Sequence, residues 1–244
     1  MPYRRLGDDP ARWRCLDAQA WGLAALACTL YLPQVGRTIL GDLSLLYVAP
    51  VVWTMLAVLA IGEPAGMAGP WQVWRLRCAW LSVAGLSPFV AWWMRCLDVP
   101  YLAVASAASM AAASWAALET SWFVSQLGRS RGVQAMVLDA LVVRIGILYL
   151  LVIPLAALWL TLIVALLLGW AASPGDWLRF WRQIPAWGRL PLLYGPLLAL
   201  LNLARLLLRA SVRLCSLPTP PAVPQGDALD DLDPRPQDPP DRPA

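Results

Sequence analysis

Long stretches with few charged residues are the feature that most constrains the fold of this chain. Six apolar runs alternate with short segments rich in arginine, glycine and proline, and they cover residues 11–32, 43–61, 78–94, 101–123, 141–170 and 190–208. About 20 apolar residues in a helix cross the ~30 Å hydrocarbon core of a bilayer. The sequence therefore predicts an all-α, polytopic transmembrane bundle of about six helices within one domain, residues 1–215.

The distribution of charge favours lipid as the surrounding medium. Only 14% of the residues are charged and 59% are apolar, whereas about a quarter of the residues in soluble domains are charged. The basic residues are all arginine, and they concentrate between the runs. A single water-soluble core of this size could not hide several such runs.

The ends of the runs carry recognisable signals. Asp9-Pro10 resembles a helix start, and the first run has no small-residue cleavage site after it, so we expect a retained signal anchor. The fifth run is too long for one straight crossing, and Pro154 is the expected kink. The segment 173–176, Ser-Pro-Gly-Asp, predicts the start of an amphipathic helix over 174–187 that lies in the membrane interface, with a plain loop as the alternative.

The composition changes abruptly at Ser216. Nine prolines and six aspartates occupy the last 29 residues, with a net charge of −4. Such a segment cannot bury enough apolar surface to order itself. The sequence therefore predicts a disordered tail over 216–244.

Arginine is distributed unequally between the two sides of the predicted bundle. With six crossings and a cytoplasmic N-terminus, twelve arginines outside the tail lie on the cytoplasmic side and five on the other. The positive-inside bias then places both termini in the cytoplasm. Three of the five opposing arginines lie in 171–189, which is the segment that fits this orientation least well.

Glu119 is the candidate site residue that stands out most, because it lies in an otherwise uncharged run. Arg144 has a comparable depth in the next, antiparallel run, so we expect an intramembrane ion pair between Glu119 and Arg144. The alternatives are a transport or proton-linked role and simple snorkelling to headgroups. Asn202, Arg205 and Arg209 in the sixth run are candidate contacts for lipid headgroups or a partner subunit.

Two further patterns concern packing. The fourth run is rich in alanine and serine, which allows neighbouring helices to approach closely. Most tryptophans lie near run ends and indicate interface anchors, whereas Trp53, Trp115 and Trp159 lie deeper. We expect these three to have a packing or hydrogen-bond partner.

Several chemistries are disfavoured by the residue types present. The chain has no histidine and no lysine, which excludes imidazole ligands and bases and lysine Schiff bases. Five scattered cysteines form no CxxC pair, and no nucleotide-binding or hydrolase motif occurs. The sequence therefore predicts no catalytic residue, no metal site, no cofactor and no nucleic-acid partner.

These features together predict a non-enzymatic membrane protein. We expect an accessory, scaffolding or assembly subunit of an inner-membrane or envelope complex, with the bilayer and a membrane-protein partner or a second copy as its contacts. A small transporter or permease component with a polar site near Glu119 and Arg144 is the alternative, and an enzyme acting on lipids is a third hypothesis. The arginine- and alanine-rich composition suits a bacterial inner membrane.

Overall fold

The computed structural model describes residues 10–35, 48–61, 71–183 and 185–216, and in these ranges the protein is helical with no strand. Eight α-helical segments follow one another: α1 (Pro10–Val35), α2 (Val48–Leu59), α3 (Trp71–Arg95), α4 (Pro100–Ser130), α5 (Gln134–Ile147), α6 (Ile153–Leu167), α7 (Pro174–Gln183) and α8 (Ala186–Ser216). A π-helical segment, Leu148–Val152, joins α5 to α6. The prediction of an all-α protein is confirmed, whereas the predicted tail lies outside the described residues.

The most extensive contacts between helices follow chain order around the bundle. Helix α1 packs against α2, α2 against α3, α3 against α4 and α4 against α5, and α8 closes the arrangement by packing against both α5 and α1. One continuous core runs through these helices, with leucine and alanine as its commonest members. The apolar runs therefore form successive neighbours, as short connections between helices favour.

Helices α3, α4 and α5 extend beyond the runs predicted from hydropathy. Helix α3 begins at Trp71, seven residues before the predicted run, and α4 ends at Ser130, seven residues after it. Helix α5 begins at Gln134, also seven residues early. Hydropathy marks only the apolar part of a helix, whereas backbone hydrogen bonding continues into the arginine-bearing turns.

The turn between α4 and α5 is tight because a glycine adopts a left-handed conformation there. Gly132 has φ 69°, and the N–H of Val133 donates to the carbonyl of Gly128 at 2.8 Å. This is the hydrogen bond of a Schellman helix end. It reverses the chain within three residues, so α5 returns antiparallel along α4.

Polar ties between neighbouring helices set the registers at one end of the bundle. The Trp53 ring N–H donates to the carbonyl of Ala18 at 2.9 Å, which links α2 to α1. Arg77 of α3 donates to the carbonyls of Leu59 (3.2 Å) and Ile61 (2.7 Å) at the end of α2. A cation at this position satisfies carbonyls that have no partner within their own helix.

The helix of the fifth run departs from regular α-helical winding close to Pro154. Pro154 lies in the first turn of α6, directly after the π-helical segment. Proline has no N–H to donate to the carbonyl four residues earlier, which is that of Leu150. Helix α8 approaches this carbonyl at Gly195, where an added Cβ would lie 2.3 Å from the Leu150 oxygen. The structure thus has a π-helical segment directly before Pro154, whereas the expected kink at Pro154 stays a prediction; glycine permits the close approach of α8.

Helix α7 begins where the sequence predicted. The hydroxyl of Ser173 accepts the N–H of Asp176 at 3.2 Å and lies 3.0 Å from the carboxylate of Asp98 in the α3–α4 turn. Trp177 is buried against Leu162 and neighbouring residues of α6. The tryptophan face of α7 therefore packs against protein.

Two of the described helices are long and apolar enough to cross a membrane. They are Pro100–Ser130 and the continuous helix Gln134–Leu167, whose most apolar window is only 17% buried. Helix α2 is apolar but shorter. By length and composition, the structure thus provides two candidate spans among the described residues.

Candidate functional site

Glu119 is buried and forms an ion pair, but its partner is Arg75 and not Arg144. The guanidinium of Arg75 on α3 donates to the Oε1 of Glu119, and the ring N–H of Trp115 donates to the same oxygen at 3.1 Å. The Glu119 side chain is 8% exposed, whereas that of Arg75 is 44% exposed. The carboxylate is thus neutralised at the edge of the α3–α4 interface.

The predicted pairing of Glu119 with Arg144 is wrong. Arg144 instead extends along the α4–α5 groove, where its Nε lies 3.4 Å from the Ser121 hydroxyl and its guanidinium stacks 5.1 Å from the centre of the Trp122 ring. The two residues do lie at similar depth. However, helical geometry turns the chain ~100° per residue, so Glu119 faces α3 while Ser121 faces α5.

Further hydrogen bonds tie α3 to α4 on either side of this region. The ring N–H of Trp80 donates to Thr120 at 3.1 Å, and both side chains are buried. Ser106 donates to the carbonyl of Phe89 at 3.2 Å. Ser106 and Thr120 of α4 therefore bond across helices, as small polar residues do in helix interfaces, whereas Ser114, Ser121 and Ser130 donate to carbonyls of α4 itself.

The three candidates on α8 have different environments. Arg209 lies 4.0 Å from Asp139 of α5, and Arg213 donates to the same carboxylate at 2.8 Å. Asn202 and Arg205 are exposed. The structure thus joins Arg209 to another helix of the same chain and leaves Asn202 and Arg205 on the surface.

The deeper tryptophans have the partners that were expected. Trp53 and Trp115 donate the hydrogen bonds described above. Trp159 of α6 packs against Trp93 of α3, with ring centres 5.5 Å apart. Each of these rings connects two turns or two helices.

Sequence reasoning missed Arg75, Asp139 and Gln19. The first two complete ion pairs whose geometry depends on helix rotation. Gln19 of α1 is fully buried, and neither polar atom of its amide has a hydrogen-bond partner. The sequence contained one signal for Gln19, namely an amide side chain within an apolar run.

Candidate metal ligands do not cluster in the described ranges. They hold no group of three or more cysteine or acidic side chains that could bind a metal ion. No protein-family model, curated protein or solved structure matches the chain. The arrangement of charges and apolar surface therefore carries the functional argument.

Proposed function

We propose that the chain is a six-crossing inner-membrane protein that acts as an accessory, scaffolding or assembly subunit. The observation that carries this proposal is a repeated spacing of charge. Six charge-free stretches cover residues 18–36, 43–62, 78–94, 99–118, 145–175 and 190–204. Their lengths of 15 to 31 residues bracket the ~20 residues that a transmembrane helix needs.

Contacts between helices support a common level for the ends of these stretches. Arg75 meets Glu119 across α3 and α4, and Arg144 meets Ser121 across α4 and α5. Each charged residue of these contacts lies within three positions of the end of a charge-free stretch. The charges of three successive helices therefore lie near one plane, as expected at a membrane surface.

The outer surface of the longest helix also supports a lipid environment. Val142, Tyr149 and Leu167 on Gln134–Leu167 are 69%, 67% and 79% exposed. Large contiguous apolar surfaces are rare on water-soluble monomers. Surrounding acyl chains would cover these side chains at no hydrophobic cost.

The positive-inside bias orients the proposed bundle. The end with Arg75, Arg77 and Arg144 also holds the arginines of the α4–α5 turn and of the α8 C-terminus. By sequence, the opposite end of the proposed bundle has five arginines, Arg37, Arg95, Arg179, Arg182 and Arg189, against twelve on the cytoplasmic side. This asymmetry supports cytoplasmic termini.

The pairing of acidic residues with arginines of the same chain supports a role in assembly. Glu119 and Asp139 are both occupied by arginines of the same chain, so neither is held ready for a transported ion. Helix α4 in addition exposes Ala108 and Ala111 on its outer face, between the larger Val104 and Trp115. Small residues at such positions allow a partner helix to approach closely.

The transporter alternative requires polar groups that converge near the bilayer midplane. Glu119 and Arg144 are held on different sides of α4 and near the ends of their charge-free stretches. This separation favours the assembly role. Gln19 is also buried, but it is the second residue of its charge-free stretch and so lies near an end as well.

Topology is tested with single-cysteine variants that retain Cys96 or Cys215, both of which are exposed. We expect the protein to remain in membranes after alkaline carbonate extraction. An impermeant maleimide should label Cys96 from the outside of spheroplasts and Cys215 only in inverted vesicles. Labelling of both from one side would contradict six crossings, and recovery in the high-speed supernatant would contradict the membrane assignment.

The assembly role is tested by co-purification in mild detergent. Ala111→Phe should abolish recovery of a stoichiometric partner, because the phenyl ring would fill the space that the small residues of α4 leave for a partner helix. Leu160→Phe, on the exposed surface of α6, is the matched control and should retain the partner. Purification of the wild-type protein alone, or equal loss in both variants, would count against an assembly role through α4.

A further inference from the structure

Among the described residues Arg144 has no carboxylate partner, in contrast to Arg75, Arg209 and Arg213. Arg75 pairs with Glu119, and Arg209 and Arg213 share Asp139. Arg144 has contacts with the Ser121 hydroxyl and the Trp122 ring, and its Nη2 is buried without a hydrogen-bond acceptor. The nearby carboxylates of the described helices are therefore already committed elsewhere.

The half-buried Arg144 residue uses few of its five N–H donors within the chain, and this shortage of acceptors points to one supplied from outside. A buried donor without a partner loses the energy of solvation, and a charged group loses more. The 3.4 Å contact from Nε to Ser121 is long for a hydrogen bond. It leaves most of the hydrogen-bonding capacity of a group with five N–H donors unused.

The surroundings of Arg144 suit a phosphate group in particular. Trp122 stacks against the guanidinium and is 38% exposed, so one side of the site faces the surroundings of the bundle. Stacking fixes the plane of the guanidinium, which can then present paired N–H groups to an oxyanion. Arg129, exposed two turns from Trp122 on the same face of α4, adds positive charge on the route to the site.

The depth of Arg144 agrees with the position of lipid headgroups. Ile145 begins the longest charge-free stretch of the chain, so Arg144 marks its cytoplasmic edge in the proposed orientation. Tryptophan side chains are enriched at the same level of a bilayer. We propose that the α4–α5 groove at Arg144, Ser121 and Trp122 binds the phosphate of an anionic phospholipid from the cytoplasmic leaflet.

This inference rests on the proposed membrane location, and it adds a ligand to it. The lipid would bridge α4 and α5 on the outside of the bundle. Its phosphate satisfies Arg144, while its acyl chains cover exposed apolar side chains that follow Arg144, such as Ile145 on α5 and Leu148 in the π-helical segment. A free phosphate ion has the same headgroup chemistry without the second contribution.

The test uses the full-length protein, delipidated in detergent and titrated with phosphatidylglycerol, phosphatidylcholine or inorganic phosphate. Bound lipid is counted by native mass spectrometry, and thermal stability is followed in parallel. We expect saturable binding of one phosphatidylglycerol with a rise in melting temperature, and no saturation with phosphatidylcholine. Arg144→Gln should weaken this binding about tenfold or more, the usual effect of a lost charge-assisted hydrogen bond.

Arg14→Gln is the matched control, because Arg14 is an exposed arginine of α1 on the same side of the proposed membrane and is not among the headgroup candidates. It should leave the binding constant unchanged. Trp122→Leu keeps the charge and removes the stacking ring, so it should weaken binding several-fold even if Arg144→Gln does not fold.

Each result either identifies the source of the phosphate or contradicts the proposed site. Competition by inorganic phosphate at the same concentration would support the site with a free ion as its ligand. Equal losses in the Arg144 and Arg14 variants, or uptake of phosphatidylglycerol in proportion to its mole fraction, would overturn the proposal. Both results would leave the membrane assignment standing, since carbonate extraction tests that separately.

Discussion

Replacement of Gly195 by alanine tests the close contact between α8 and the π-helical segment. The added Cβ would lie 2.3 Å from the Leu150 oxygen and 3.3 Å from its carbonyl carbon. Carbon–oxygen contacts in helix interfaces normally begin at about 3.3 Å, so the two backbones would have to separate by about 1 Å. Over-packing of this kind costs about 1–3 kcal/mol. Alanine recovers about 0.5–1 kcal/mol of backbone entropy, so we expect a net loss of about 1–2 kcal/mol.

The assay is reversible unfolding in mixed micelles, followed by the change in tryptophan fluorescence. Gly146→Ala is the control in the facing helix, where an added Cβ meets nothing within 4 Å. It should leave the free energy of unfolding unchanged or raise it by up to about 1 kcal/mol. If Gly195→Ala were as stable as Gly146→Ala, the close approach of α8 to the Leu150 carbonyl would be refuted.

Three further substitutions probe the buried polar residues. Gln19→Leu should raise the free energy of unfolding by about 1–3 kcal/mol, because it removes an amide without hydrogen-bond partners, as measured in the same micelles. Glu119→Gln should lower it by about 1 kcal/mol, since the half-exposed Arg75 screens part of the pair; a double-mutant cycle with Arg75→Gln measures the coupling. Asp139→Asn should lower it by less than about 1 kcal/mol, because its arginine partner Arg213 is more than a third exposed.

Each of these expectations has a clear contrary result. Destabilisation by Gln19→Leu would show that the amide has a partner, such as a bound water. Zero coupling in the cycle would mean that the Arg75–Glu119 contact contributes nothing to stability. A loss of several kcal/mol in Asp139→Asn would show that this carboxylate is shielded from solvent in the membrane-embedded protein.

The course of the backbone was largely predictable from the sequence. Apolar runs locate the helices, Pro154 locates the irregularity, and Ser173 marks the start of α7. These features depend on neighbours along the chain: hydropathy over a window, a missing N–H, and a hydroxyl that accepts an N–H three residues later. Features that depend on neighbouring residues can therefore be predicted from a single sequence.

The partners of the charged side chains were not predictable in the same way. Glu119 and Arg144 were paired by their position along the helices, but that position is only one of two coordinates on a helix. Rotation about the helix axis decides which neighbour a side chain meets, and it depends on how all helices pack together. A single sequence constrains that rotation weakly when most faces of α4 are small, so Arg75 was overlooked as the partner of Glu119.

The π-helical segment has a consequence for tolerance to changes in chain length. Such a segment accommodates one residue more than a regular helical turn, so loss of any one residue from Leu148–Val152 would restore regular winding. The helix beyond would then keep almost the same facing, because the four remaining residues in regular α-helix turn the chain about as far as the five do now. Loss of one residue from the regular helix between Pro154 and Trp159 would instead rotate everything beyond it by ~100° about the axis, so Trp159 would leave Trp93 and the surface on which α7 packs would face elsewhere. A single-codon deletion should therefore be better tolerated within Leu148–Val152 than in the regular helix that follows.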